Sequence, residues 1–97
     1  MLRPCVYLLA SHRHGTLYVG VTGDLACRVW MHRQARSGFS ARYRTDRLVW
    51  YRSEPDMLAA IRQEKRPKRW RRAWKIALIE AANPAWRDLY SELVDAP

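Results

Sequence analysis

Two tyrosines, an arginine and a histidine stand near the start of this chain at spacings that can bring their polar ends together. Tyr7 lies in the apolar run Cys5-Val6-Tyr7-Leu8-Leu9-Ala10, and Tyr18 lies in Thr16-Leu17-Tyr18-Val19-Gly20-Val21. The five residues between the runs, Ser11-His12-Arg13-His14-Gly15, are polar and end in glycine, the composition of a hairpin loop. A hairpin centred near Arg13 sets Tyr7 nearly opposite Tyr18. Side chains alternate faces along a strand, so both hydroxyls can project to the same side. Arg28 and His32 follow, four residues apart on a helix expected over about 24–35, and therefore stacked on one helix face. A phenol pair, a guanidinium and an imidazole on one surface suit chemistry on a phosphate.

The elements that must position these groups read as follows. Strands are expected over about 4–10 and 16–21, then the helix carrying Arg28, then a loop through Ser37-Gly38-Phe39. A third strand over about 47–52 has Leu48, Val49, Trp50 and Tyr51 as its β-favouring centre. Ser53 and Asp56 form a capping-box pattern, with Pro55 in the first turn of a helix running to about Arg66. Trp70, Ala73, Trp74, Ala77, Leu78 and Ala81 recur at helical spacing, which predicts a helix with that stripe facing the core. On that spacing Trp70 and Trp74 read as core residues rather than base-stacking platforms. Asn83-Pro84 ends this helix, and a short terminal one around 85–94 packs back through Trp86, Leu89 and Tyr90. The expected fold is a small α/β sandwich, a three-stranded antiparallel sheet flanked by helices, as one domain over residues 1–97.

These motifs resemble those of the GIY-YIG nuclease family. Cys5-Val6-Tyr7 stands for the family's Gly-Ile-Tyr and Tyr18-Val19-Gly20 for its Tyr-Ile-Gly. The likeness continues through Val21-Thr22-Gly23-Asp24-Leu25, Arg47-Leu48-Val49-Trp50-Tyr51, Glu64-Lys65 before Lys68-Arg69-Trp70, and Asn83-Pro84-Ala85-Trp86 with Asp88-Leu89-Tyr90. It covers nearly the whole chain and is nearest to the small stand-alone bacterial members. The resemblance implies that Tyr7 takes a proton from the attacking water, Tyr18 orients water or phosphate, and Arg28 clamps the scissile phosphate. It implies that His32 hydrogen-bonds phosphate or Tyr7, that Asn83 lies near the site, and that Glu64 holds one divalent ion, Mg²⁺ or Mn²⁺. A phenol with an ordinary pKa near 10 is a poor base at neutral pH, so this scheme requires the Tyr7 pKa to be lowered, with Arg28, a protonated His32 and the metal as the cations. His12 and His14 stand as His-x-His in the loop, and two histidines alone do not make a metal site.

Charge supports a polyanion partner. Eighteen Lys and Arg against nine Asp and Glu leave a net charge of +9. Between Arg62 and Lys75 eight basic residues accompany one acid, Glu64. Arg62, Lys65, Lys68, Arg69, Arg71, Arg72 and Lys75 are the candidate nucleic-acid contacts. The 97 residues are 48% hydrophobic with five tryptophans, enough for a packed core, and no run approaches a membrane span. Two cysteines without a Cys-x-x-Cys pairing read as reduced thiols in a cytoplasmic protein.

Three positions depart from the family pattern. Cys5 replaces a glycine, and Val21 stands where some relatives carry lysine. Pro67 follows Glu64-Lys65, and a mid-helix proline costs about 3 kcal/mol. The simpler expectation is that one helix ends near Lys65 and another starts with Pro67 in its first turn, leaving Glu64 in a frayed end. The function expected is a metal-dependent endonuclease on DNA rather than RNA, with a partner protein supplying specificity. DNA repair or mobile-element processing enters by family analogy alone. The alternative is a DNA- or RNA-binding module on the same fold with cutting weak or lost.

Overall fold

The computed structural model describes residues 3–35 and 38–94. In order the elements are β1 (Cys5–Ala10), β2 (Leu17–Thr22), α1 (Leu25–Gln34), α2 (Gly38–Tyr43), β3 (Arg47–Ser53), α3 (Met57–Arg69), α4 (Arg72–Ala82) and α5 (Tyr90–Val94). The sheet is antiparallel with order β2-β1-β3. Central β1 is buried at every residue, which is why its sequence is a continuous apolar run rather than an alternating one. Cys5, Tyr7 and Leu9 face α1, meeting Leu25 and Val29 with Leu48. Leu8 and Ala10 face the other way, into a cluster with Val19, Val49, Ile79 and Trp86. A register irregularity opposite Leu8/Leu9 lets Leu48 serve the first cluster while Val49 and Trp50 both serve the second. Among the described residues no helix is long and apolar enough to cross a membrane.

The hairpin register differs from the sequence expectation. Tyr7 pairs with Gly20, and Tyr18 pairs with Leu9. The loop closes through Ser11 and Thr16: Thr16 N–H donates to Ser11 Oγ at 2.9 Å and Ser11 N–H to the Thr16 carbonyl at 3.0 Å. That moves the centre to between Arg13 and His14. The shift of Tyr18's partner is two residues, so both tyrosines stay on one face.

Gly20 has a steric reason. A Cβ there would stand 2.4 Å from Tyr7 Cζ and Oη, so the Tyr7 ring crosses β2 over the bare glycine. Gly20→Ala should force that ring off its rotamer and destabilise the fold by roughly 1–3 kcal/mol. Urea unfolding measures this, and unchanged stability would contradict the packing.

Four further expectations change. Asp56 is itself the N-cap of α3, its carboxylate accepting from Ala59 N–H at 2.8 Å, while Ser53 ends β3. The α3 helix is continuous through Pro67. The proline comes one turn from the end, where few downstream hydrogen bonds remain, and it is buried with Ala60 and Glu64 on one helix face. Glu64 is therefore in a formed helix, not a frayed end. On α4 the expected core stripe holds at Leu78 alone: Ile79 is the buried residue, Ile76 and Leu78 pack beside it, Ala73, Ala77 and Ala81 are exposed, and Trp74 is 56% exposed, while Trp70 precedes the helix. Alanines carried half of that stripe, and the larger isoleucines on another face bury more apolar surface. Finally, the expected loop contains a short helix, α2, entered through Gly38 at φ 83°; Ser37 lies outside the described residues.

Candidate active site

Three elements bring four side chains to one place. β1 supplies Tyr7, β2 supplies Tyr18, and α1 supplies Arg28 and His32 one turn apart. The step from β2 into α1 is fixed locally: Asp24 N–H donates to Thr22 Oγ1 at 3.1 Å, and Asp24 Oδ1 accepts from Cys27 N–H at 3.2 Å as the helix N-cap. At its other end α1 is tied down by an Arg33–Asp88 ion pair, with the Arg33 guanidinium 4.3 Å above the Tyr90 ring. Asp88 also accepts from Leu48 N–H at 3.3 Å and Tyr90 N–H at 3.1 Å, so the segment after α4 locks α1 to β3.

Tyr7 Oη lies 3.1 Å from His32 Nε2. The His32 ring meets Tyr18 edge-on at 4.9 Å and Tyr7 at 5.9 Å, and the two tyrosine rings are 6.2 Å apart. Arg28 hydrogen-bonds both phenols. A guanidinium has no acceptor, so it donates to Tyr7 Oη; in the Tyr7–His32 contact the donor follows the His32 tautomer.

The electrostatics run against the expected scheme. Burial pushes the Tyr7 phenol up to about 12, outweighing the opposing pull of its Arg28 hydrogen bond. Tyr7 is thus not a pre-formed phenolate. His32 is held below its ordinary range, first by burial and then by the Arg28 charge, so at neutral pH it is neutral rather than the expected imidazolium. Arg28 is pushed further up by its bond to Tyr7 and stays cationic.

The other sequence-derived candidates come from other elements. Glu64 sits on the buried face of α3, is only 9% exposed, and has its Oε1 paired with Lys68 Nζ at 3.0 Å. The α3 helix packs on β2 and β1, which brings Glu64 to the same sheet from another element. Among the described residues no group of three or more His, Cys, Asp or Glu side chains gathers to hold a metal. Asn83 is buried and fully engaged: its amide N–H₂ donates to the Val49 and Arg87 carbonyls at 3.0 and 2.9 Å, and its Oδ1 accepts from Arg87 N–H at 3.0 Å. Those bonds hold the α4 terminus to β3 and bring it to no member of the four.

Of the basic series, Arg62, Lys65, Lys68, Arg69 and Arg71 are exposed, and Lys75 is half-buried. Arg72 binds the hairpin loop at the Gly15 carbonyl, 2.6 Å, and at the His14 carbonyl. His14 stacks on Trp86 at 4.9 Å and pairs with Glu80 at 3.3 Å, while His12 Nδ1 is 3.0 Å from Ser11 Oγ, so the two loop histidines serve separate packing roles. Arg33 and Asp88 carry no role legible in the sequence, since a pairing across 55 residues leaves no periodic signal.

The family model described as the GIY-YIG catalytic domain matches residues 3–77. No curated protein and no solved structure gives a match. The matched span takes in the tyrosine strands, α1, α3 and most of α4, and the sheet with its helices is the one such a domain requires. The chain belongs to the GIY-YIG family, whose catalytic domains carry nuclease activity on nucleic acid.

Proposed function

We propose that this protein is a metal-dependent endonuclease that hydrolyses phosphodiester bonds in DNA, using Tyr7 and His32 together as its base. The observation that carries the reading is the 3.1 Å contact of Tyr7 Oη with a neutral His32, beside an arginine that bonds both phenols. Water attacks phosphorus and gives its proton to Tyr7 Oη while Tyr7 passes its own to His32 Nε2. No free phenolate forms, so a Tyr7 pKa near 12 is no obstacle. The P–O bond to the leaving oxygen breaks, and that oxygen takes its proton from solvent. Arg28 keeps donors for the non-bridging oxygens, where negative charge grows. Tyr18, sharing Arg28, orients the phosphate.

Glu64 fits a single Mg²⁺ or Mn²⁺, since one hard carboxylate oxygen completed by waters and substrate phosphate is an ordinary magnesium arrangement. Bound there, the ion supplies charge neutralisation at the phosphate and leaving oxygen. The exposed basic residues from Arg62 to Arg71 hold the backbone. Cytoplasmic residence fits the two free thiols, and a partner protein supplies target choice. A second reading, a DNA- or RNA-binding module without cutting, draws support from the Glu64–Lys68 pair, which satisfies the carboxylate without a metal.

The deciding assay is cleavage of supercoiled plasmid, branched DNA and single-stranded RNA at low salt with Mg²⁺ or Mn²⁺, with Glu64→Ala in parallel. The expected result is metal-requiring DNA cutting that falls at least about 10²-fold in the variant while binding persists. Binding without cutting on every substrate would support the module instead.

A further inference from the structure

On the sheet face opposite Tyr7, a cavity of about 110 Å³ lies between β3 and the α3–α4 junction. Its floor includes Val6, which alternates away from Tyr7 along β1. Trp50, Pro67 and Trp70 form apolar walls, Arg52 and Arg66 border it, and Glu54 closes it. The Glu54 side chain is only 7% exposed; its Oε1 makes a long ion pair with the exposed Arg52 Nε at 3.9 Å but finds no hydrogen-bond partner among the described residues. A buried carboxylate oxygen with only a long, exposed ion pair is under-satisfied, and nothing in the proposed cleavage uses it. The cavity shares Trp70 and Leu78 with an open apolar shelf on α4 that includes the exposed Trp74.

We infer that this cavity binds an unpaired guanine base of a nucleic acid, stacked against tryptophan with its N1–H and N2–H donors on Glu54. The inference rests on the nucleic-acid reading above. A space of this size holds several waters, room for one flat ring system. The walls are aromatic and apolar, which suits base stacking. An ionised carboxylate only accepts, so it selects the base with two adjacent donors on its pairing edge. Guanine has that pair; adenine and cytosine set one amino group beside an acceptor, and thymine flanks one N–H with two carbonyls. A cationic side chain from a protein would also satisfy Glu54, but Arg52 and Arg66 line the same cavity and repel it. Those arginines instead match the phosphates that accompany a base.

The test is fluorescence anisotropy of labelled DNA pentamers, thymine except at the central base, at one fixed salt concentration. The wild type should bind the central-guanine pentamer about tenfold tighter than the adenine, cytosine or all-thymine ones. Glu54→Gln should reduce that preference to less than about twofold with all-thymine binding unchanged. If Glu54→Gln does not fold, wild-type protein with 1-methylguanine at the centre decides, because the methyl group removes the N1 donor; the preference should vanish. Equal binding of all four bases overturns the inference, as does a preference that survives both changes. Displacement of the pentamers by N-acetyl-arginine amide in the wild type but not in Glu54→Gln, without base preference, also overturns it and puts a basic peptide there. Tyr7→Phe should retain the guanine preference. All-thymine binding reports the nucleic-acid reading separately, so its loss marks a failure of that reading rather than of the base choice.

Discussion

Tyr7→Phe should lower the single-turnover cleavage rate by about 10²–10⁴-fold and leave DNA binding within about twofold. The ring stays, still crossing β2 over Gly20, so the packing of Cys5, Leu9, Leu25 and Val29 around it is kept. Only the oxygen goes, and with it the 3.1 Å contact to His32 Nε2 through which the proposed proton transfer runs. Arg28 keeps its bond to Tyr18 and remains available to phosphate. Filter binding beside quench-flow cleavage separates the two effects. A loss of binding equal to the loss of rate would mean that the hydroxyl holds substrate rather than moving a proton.

Arg28→Ala should cost about 10²–10³-fold in rate, the size found when one donor to a developing oxyanion is removed. It has a second consequence. The Arg28 charge is one of the two causes that hold His32 below its ordinary range, so its removal raises the His32 pKa and moves the acid limb of the pH profile to higher pH. Arg28→Lys should restore the charge but little of the rate, because one ammonium on a flexible stem does not reproduce a planar fork spanning Tyr7, Tyr18 and a phosphate. Rate measurements on both variants across pH check this; a lysine variant as fast as wild type would show that charge alone suffices.

The parts of this site legible in the sequence are those set by short-range periodicity. Tyr7 and Tyr18 share a face because strands alternate, and a hairpin register off by two left that parity intact. Arg28 and His32 stack because they are four apart on a helix whose N-cap, Asp24, is adjacent. What failed depended on burial or distant partners. Pro67 stays inside α3 because its ring is buried with Ala60 and Glu64, a fact of tertiary packing. Apart from Leu78, the stripe on α4 points outward because Ile79 and Trp86 meet on the β-sheet side, and periodicity does not weigh side-chain size. The direction of the Tyr7 shift was unreadable for the same reason: proximity of Arg28 argues for a lowered pKa, and only the depth of burial reverses the sign. Asn83 could be placed in sequence but not in role, since its partners Val49 and Arg87 appear only once the chain is folded.

The rate of single-turnover cleavage as a function of pH tests the paired Tyr7–His32 base most directly. A neutral His32 that receives the proton predicts a rate that rises as pH climbs through a His32 titration below 6.5, then a plateau to about pH 10. A phenolate base with a pKa of about 12 would instead give a rate climbing about tenfold per pH unit across that whole range, and that result would contradict the mechanism.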